Sequence, residues 1–210
     1  NIKITVDRPT SEALIHATVN ALIGESGTLA LVADWNLDTN HGSVTVEPRK
    51  IDLASFSALA AGSGAVSRIA GVLDGNVNVK LDSGGAVACG GQLTIENLYL
   101  EGGKLAAPIR ESKIEIAPKL TFDPSTTSLS LDGLEVVTSA FRLEGKGSIA
   151  KEGAGDLIVS FRGDLARAQP LLAAYLPADV KLAGILSGTA KVQSSAGQSV
   201  QYEIALDAKG

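Results

Sequence analysis

The sequence predicts a mainly β protein: antiparallel sheet built from two tandem β-rich units, each carrying one short helix. Three observations lead there. Apolar residues make up 45% of the 210 positions, yet aromatics only 4%, so the apolar content is Val, Ile, Leu and Ala punctuated by 23 Gly. That mixture suits short strands joined by tight turns. Apolar and polar residues alternate with period two through most of the chain, the signature of strands with one dry and one wet face. Finally, one long phrase occurs twice, "VEPRKIDLASFSALAAGSGAVSRIAGVLDGNVNV" from Val46 and "VSFRGDLARAQPLLAAYLPADVKLAGILSGTAKV" from Val159.

Taken in order, "NIKITVD" sets Ile2, Ile4 and Val6 against Lys3, Thr5 and Asp7. The next segment, "PTSEALIHATVNALIG", has apolar residues at 14, 15, 19, 22 and 23 behind a candidate N-cap at Thr10 or Ser11, which reads as a helix. One period later stands "PSTTSLSLDGLEVVTS", where Leu129 and Leu131, then Leu134 and Val136, alternate around Asp132-Gly133 as in paired strands. Equivalence of the copies makes residues 11–24 extended as well. "NVNVKLD" and "SVQYEIALD" repeat the alternation with Val77, Val79 and Leu81, and with Val200, Tyr202, Ile204 and Leu206. In "QLTIENLYLEGG" the parity changes between Leu93 and Ile95 and Leu98 and Leu100, which calls for a bulge or a sheet apolar on both faces.

The two copies share twelve identities at an offset of 112 or 113, from Val46, Arg49 and Asp52-Leu53-Ala54 to Gly71, Leu73, Gly75 and Val79. Such self-similarity marks a duplicated structural unit. The units run from about 1 to 118 and from about 119 to 210, the second truncated, within one continuous β-rich region. Helices are expected from Asp52, as N-cap, to about Ala61, and from Pro170, in a first turn, to Leu176, where Pro177 ends the helix. The chain begins at Asn1 and holds no Met, so it reads as an excised piece of a longer protein.

Chemistry is nearly silent. The net charge of −5 argues against a nucleic-acid partner, and no run of eighteen apolar residues could span a bilayer as a helix. Cys89 is the sole cysteine, so neither an internal disulfide nor a cysteine zinc site exists, and it reads as a small buried hydrophobe. Asp34, Asn36, Asp38 and Asn40 start like a calcium loop. The match then fails at Thr39, where glycine is required, and at Thr45, where glutamate is required. His16 and His41 lack partners at metal-ligand spacing. The pairs Glu111 with Glu115 and Glu135 with Glu144 could flank a glycosidic bond, but a chain with one Trp offers little for stacking sugars. No catalytic, metal or cofactor residues are assigned, no cofactor is expected, and the chain reads as non-enzymatic.

The duplicated D-L-A helix start followed by A-G-x-L-x-G resembles the AsmA-like proteins of cell envelopes, which include the TamB type. The resemblance rests on Asp52–Ala54 with Leu59, Gly71–Gly75, Asp164–Ala166 with Leu171–Leu172, and Gly184–Gly188; "SLSLDGLEVVTSAFRLEGKGSI" is similar to that region too. It implies an elongated, curved sheet, groove-like or open-barrel-like, whose apolar lining shields lipid between inner and outer membrane. It also implies a periplasmic location and a parent anchored in the inner membrane by parts outside this chain. It supplies no site residues, and the lipid-facing positions stay unassigned. The alternative is a tandem β-sandwich serving as a structural or adhesion module of a surface protein.

Overall fold

A computed structural model describes residues 2–7, 13–62, 64, 66–102, 105, 107–150, 154–172, 176–177, 179–195 and 200–209. The candidate caps Thr10 and Ser11, the repeat position Ala173 and part of the expected second helix, residues 173–175, lie outside them. The chain is 69% strand, folded into one open antiparallel sheet of thirteen strands.

In chain order these are β1 (Ile2–Asp7), β2 (Leu14–Ile23), β3 (Gly27–Asn36), β4 (His41–Arg49), β5 (Ile51–Asp52), β6 (Arg68–Leu81) and β7 (Val87–Glu101). There follow β8 (Ile109–Asp123), β9 (Ser128–Val137), β10 (Phe141–Ile149), β11 (Gly155–Asp164), β12 (Ile185–Ser194) and β13 (Gln201–Lys209). Each strand pairs with its sequence neighbour, except that β5 is a short spur on β6 and β4 pairs with β6 directly. Residues 14–23 are extended, as the second copy required, although their spacing alone fits a helix. The alternation decides it: Val19 lies opposite both Ile4 and Leu31 on one face, while His16 lies opposite Asp34 on the other.

The parity change in β7 is a bulge. Register against β6 shifts by one residue between Val72 opposite Glu96 and Ala70 opposite Tyr99, with Asn97 held at φ 52°. Asparagine tolerates that left-handed conformation better than most residues.

The repeated phrase folds the same way twice. Val46 opposite Val77 recurs 113 residues on as Val159 opposite Ala190, and Gly75 opposite Leu93 recurs as Gly188 opposite Leu206. Gly75 has φ 153°, and a methyl group added there meets Leu93 Cδ2 at 2.9 Å; at Gly188 it meets Leu206 Cδ2 at 2.8 Å. Both glycines let a leucine lie across the neighbouring strand.

The helical inserts are likewise paired. Asp52 Oδ1 accepts the Ala54 N–H at 2.9 Å and caps a 3-10 turn, Leu53–Phe56, that runs into α1 (Ser57–Gly62). Asp164 Oδ1 accepts the Ala166 and Arg167 N–H groups at 3.0 and 3.2 Å and caps α2 (Leu165–Leu172). The second helix therefore starts five residues before the expected Pro170, which sits inside it and not in its first turn. Proline in the last turn leaves the Ala166 carbonyl without an N–H donor four residues on, a small loss in so short a helix. The D-L-A equivalence was the better signal than the proline.

Little of the chain is enclosed. Among the described residues the buried apolar set is Ile51, Leu98, Ala140 and Ala168. These sit about the bulge and the helix-bearing end, where Ala168 of α2 is fully covered. The accessible surface is 13117 Å². A compact monomer of 21.4 kDa exposes about 9,100 Å². The excess is what one uncovered layer of sheet produces.

Candidate functional site

The pairing registers assign every strand residue to a face, away from the bulge in β7 and a second register shift in β9 at Asp132-Gly133. One row starts at the β1 edge with Ile4 and runs through Val19, Leu31 and Val46 to Val77 on β6. Two residues along β6, on the same face, Gly75 continues it through Leu93, Ile116, Val136, Leu143 and Phe161 to Gly188 and Leu206 at the β13 edge. The flanking rows are alike: Val44 opposite Val79, then Cys89 opposite Leu120, then Leu131. By these registers this row and its flanking rows carry no charged side chain; among the described residues the one charge on the face is Glu111, buried opposite Leu98 beside the bulge. The other strand Lys, Arg, Asp and Glu occupy the opposite face, as in the ion pairs Arg142–Glu144 at 2.8 Å and Lys191–Glu203 at 3.2 Å.

The dimensions are large. Twelve strands in line make eleven spacings, about 53 Å at roughly 4.8 Å each. Strands of 10 residues are about 33 Å long. The apolar face is therefore on the order of 1,700 Å², against about 300–600 Å² for the largest apolar patch of an ordinary monomer. Among the described residues no second layer covers it: in a sandwich these valines and leucines are buried, and here they are half-buried, rising to 66% exposure at Ile4 and 65% at Leu206. Glycines shape it further. The Trp35 ring lies over Gly42 and the Phe141 ring over Gly163, each filling the space a Cβ would take.

The residues singled out from sequence do not form a chemical site. Asn36 Oδ1 accepts the Asp38 and Thr39 N–H groups, both at 3.0 Å, so the would-be calcium loop is the turn joining β3 to β4. Among the described residues no three His, Cys, Asp or Glu side chains converge as metal ligands. Cys89 sits among Val79 and Leu120 but is only half-buried, because none of the described residues forms a layer over that face. Glu135 and Glu144 are cross-strand partners held by one guanidinium, with Arg142 nitrogens at 2.9 and 2.8 Å. Glu115 pairs with Lys113 at 2.8 Å. Glu111, 5% exposed, accepts the Ser139 N–H at 3.1 Å through Oε2.

His41 and Lys80 line an open hollow of about 460 Å³ on the polar face. One arrangement was not visible in the sequence: His16 Nδ1 lies 2.7 Å from Asp34 Oδ1, with His16 Nε2 3.2 Å from Thr18 Oγ1. The order acid, imidazole, hydroxyl is that of acyl-transfer enzymes. However, β2 and β3 are flanked on both sides, so their backbone N–H groups serve the ladder and offer no oxyanion hole. Among the described residues no helix is long and apolar enough to cross a membrane. No protein-family model, curated protein or solved structure matches the chain.

Proposed function

We propose that this chain is a non-catalytic lipid-handling segment of an AsmA-like envelope protein, its apolar sheet face shielding acyl chains as they pass between membranes. The observation that supports this reading is the apolar face that runs from one sheet edge to the other, its one charge, Glu111, buried beside the bulge, and no second layer of the described residues upon it. Each methylene left in water costs about 0.8 kcal/mol, so an aqueous crossing demands an uninterrupted apolar surface. A carrier surface also works best without specific polar contacts that would hold the cargo in place. The rival reading expected a tandem β-sandwich; the described strands form one open sheet instead, so what is left of it is a structural or adhesion module on that sheet with no lipid upon it.

The discriminating experiment is mass spectrometry of organic extracts from the purified chain, beside a mock purification and a compact β protein of equal size. Phospholipid recovered in near-stoichiometric amount is the expected result. Lipid no higher than in the two controls, from a chain with intact β circular dichroism, overturns the lipid reading and favours the structural module.

A further inference from the structure

Two arginines meet at the bulge with no carboxylate to neutralise them. Arg49, Arg142 and Arg167 each pair with an acidic side chain. Among the described residues Arg68, Arg110 and Arg162 form no ion pair. Arg162 is on β11, whereas Arg68 and Arg110 converge: their Cζ atoms lie 5.4 and 5.2 Å from the centroid of the Tyr99 ring.

The bulge makes this cluster. Strict alternation along β7 would set Tyr99 on the apolar face with Leu93 and Ile95. The extra residue at Asn97 turns it over, so that Tyr99 lies opposite Ala70 on β6 and opposite Arg110 on β8. Opposed residues share a face, and Ala70 shares that of Asp74 and Asn76, the polar one. Arg68, two residues before Ala70, stands there too. Two guanidinium groups thus reach one ring from the strands on either side of it. Bulges commonly re-aim side chains in this way beside functional sites.

With Asn97 and Ser112, these residues line an open hollow of about 580 Å³. The carboxylates closest in register do not neutralise it. Glu101, opposite Arg68, makes no ion pair with it. Glu111 borders the hollow but is buried, with Oε2 on the Ser139 N–H. Like charges drawn to one ring repel each other, and an anion between them removes that cost.

We propose that this hollow is a phosphate-binding site, in which Arg68 and Arg110 grip the oxygens of one phosphate group and the Tyr99 ring positions both guanidiniums. A phosphate monoester brings close to two negative charges, and its tetrahedral oxygens accept paired N–H groups from each fork. A carboxylate brings one charge and suits one arginine. The phosphate belongs to a soluble molecule or to a lipid headgroup at a membrane surface. Because the cluster stands on the face opposite the apolar one, the inference is independent of whether lipid covers that apolar face.

Nuclear magnetic resonance of the arginine Nε–H groups tests it, with inorganic phosphate titrated at constant ionic strength to remove general screening. Saturable shifts at Arg68 and Arg110, with none at Arg142, are expected. In variants with intact β circular dichroism, Arg68→Gln and Arg110→Gln should each weaken phosphate binding about tenfold, since each removes a charge-assisted contact. Tyr99→Leu should weaken it several-fold, and Tyr99→Phe, which keeps the ring, should bind as the parent does. Arg142→Gln removes a guanidinium already held by Glu135 and Glu144 and should change nothing. Co-sedimentation with vesicles of phosphatidylcholine and phosphatidic acid separates the two sources. Phosphate binding without vesicle binding supports the site with a soluble ligand, and vesicle binding that either arginine variant abolishes supports it with a lipid headgroup. No saturable shift at millimolar phosphate overturns the inference. So does an equal loss of affinity in Arg142→Gln, which means general charge and no site.

Discussion

Placing one carboxylate on either side of the same strand separates a lipid-bearing face from an ordinary solvated one. Val77 and Asn76 are neighbours on β6, but Val77 lies opposite Val46 and Gly91 on the apolar face, while Asn76 lies opposite Gln92 on the polar one. An acyl chain lying on a surface buries about half of each methylene, or about 0.4 kcal/mol apiece. A carboxylate at Val77→Asp keeps its water, because dehydrating it costs several kcal/mol. The chain above is lifted over a run of about four methylenes, a loss of about 1.6 kcal/mol, or roughly 15-fold in affinity. Asn76→Asp adds the same charge to a face that already carries Lys80 and Asp74 and should change affinity less than about twofold. The assay is binding of a fluorescent fatty acid or phospholipid to each variant after delipidation, with circular dichroism confirming the sheet. Equal affinity of the two folded variants refutes the assignment of the apolar face as the lipid-bearing surface.

Three further outcomes follow from the geometry. Gly75→Ala forces a side chain onto a φ of 153° and against Leu93, so it should cost about 1–3 kcal/mol and lower the melting temperature by about 2–4 °C for each kcal/mol; Gly188→Ala meets the Ala205 carbonyl oxygen at 2.6 Å and should shift it in the same direction. Asp52→Ala and Asp164→Ala each remove a cap and should cost about 1 kcal/mol, readable in denaturant melts, while Asn restores most of it. Hydrogen bonds from Thr121 and Ser130 hold the Asp132 carboxyl below the usual aspartate range, and those from the Ser125 side chain and N–H do the same for Asp123. A depressed carboxylate adds stability above the unfolded value, about pH 4, and loses it as pH falls through the folded one; Asp132→Asn should therefore flatten the acid limb of a stability-versus-pH curve and leave its slope near neutrality unchanged.

Local pattern carried much of the fold. Period-two alternation in β1, β6 and β13 determined strands, and the second copy corrected the misleading helical spacing of Leu14–Ile23, because two equivalent sequences must share one backbone. The D-L-A starts determined both helices through the side-chain cap, and the start of α2 was misplaced only where Pro170 outweighed that equivalence. Parity also exposed the bulge at Asn97, since an apolar set that changes parity within one strand needs an extra residue to stay on its face.

What alternation cannot carry is the relation of one strand's dry face to the next, or whether a second layer covers it. A period of two leaves each strand free to turn either side toward its neighbour and leaves a sandwich and an open sheet equally consistent with the chain. Those choices belong to the long-range registers. The pairings from Ile4 across to Leu206 place the alternating apolar sets on one side, and that side is half-exposed because no sheet or helix among the described residues covers it. The same registers gathered His16, Thr18 and Asp34, a grouping that no spacing in the sequence signals. The sequence by itself determined strands, caps and repeat, because these are local and periodic; the single open layer and its apolar face were decided by pairing between residues far apart in the chain.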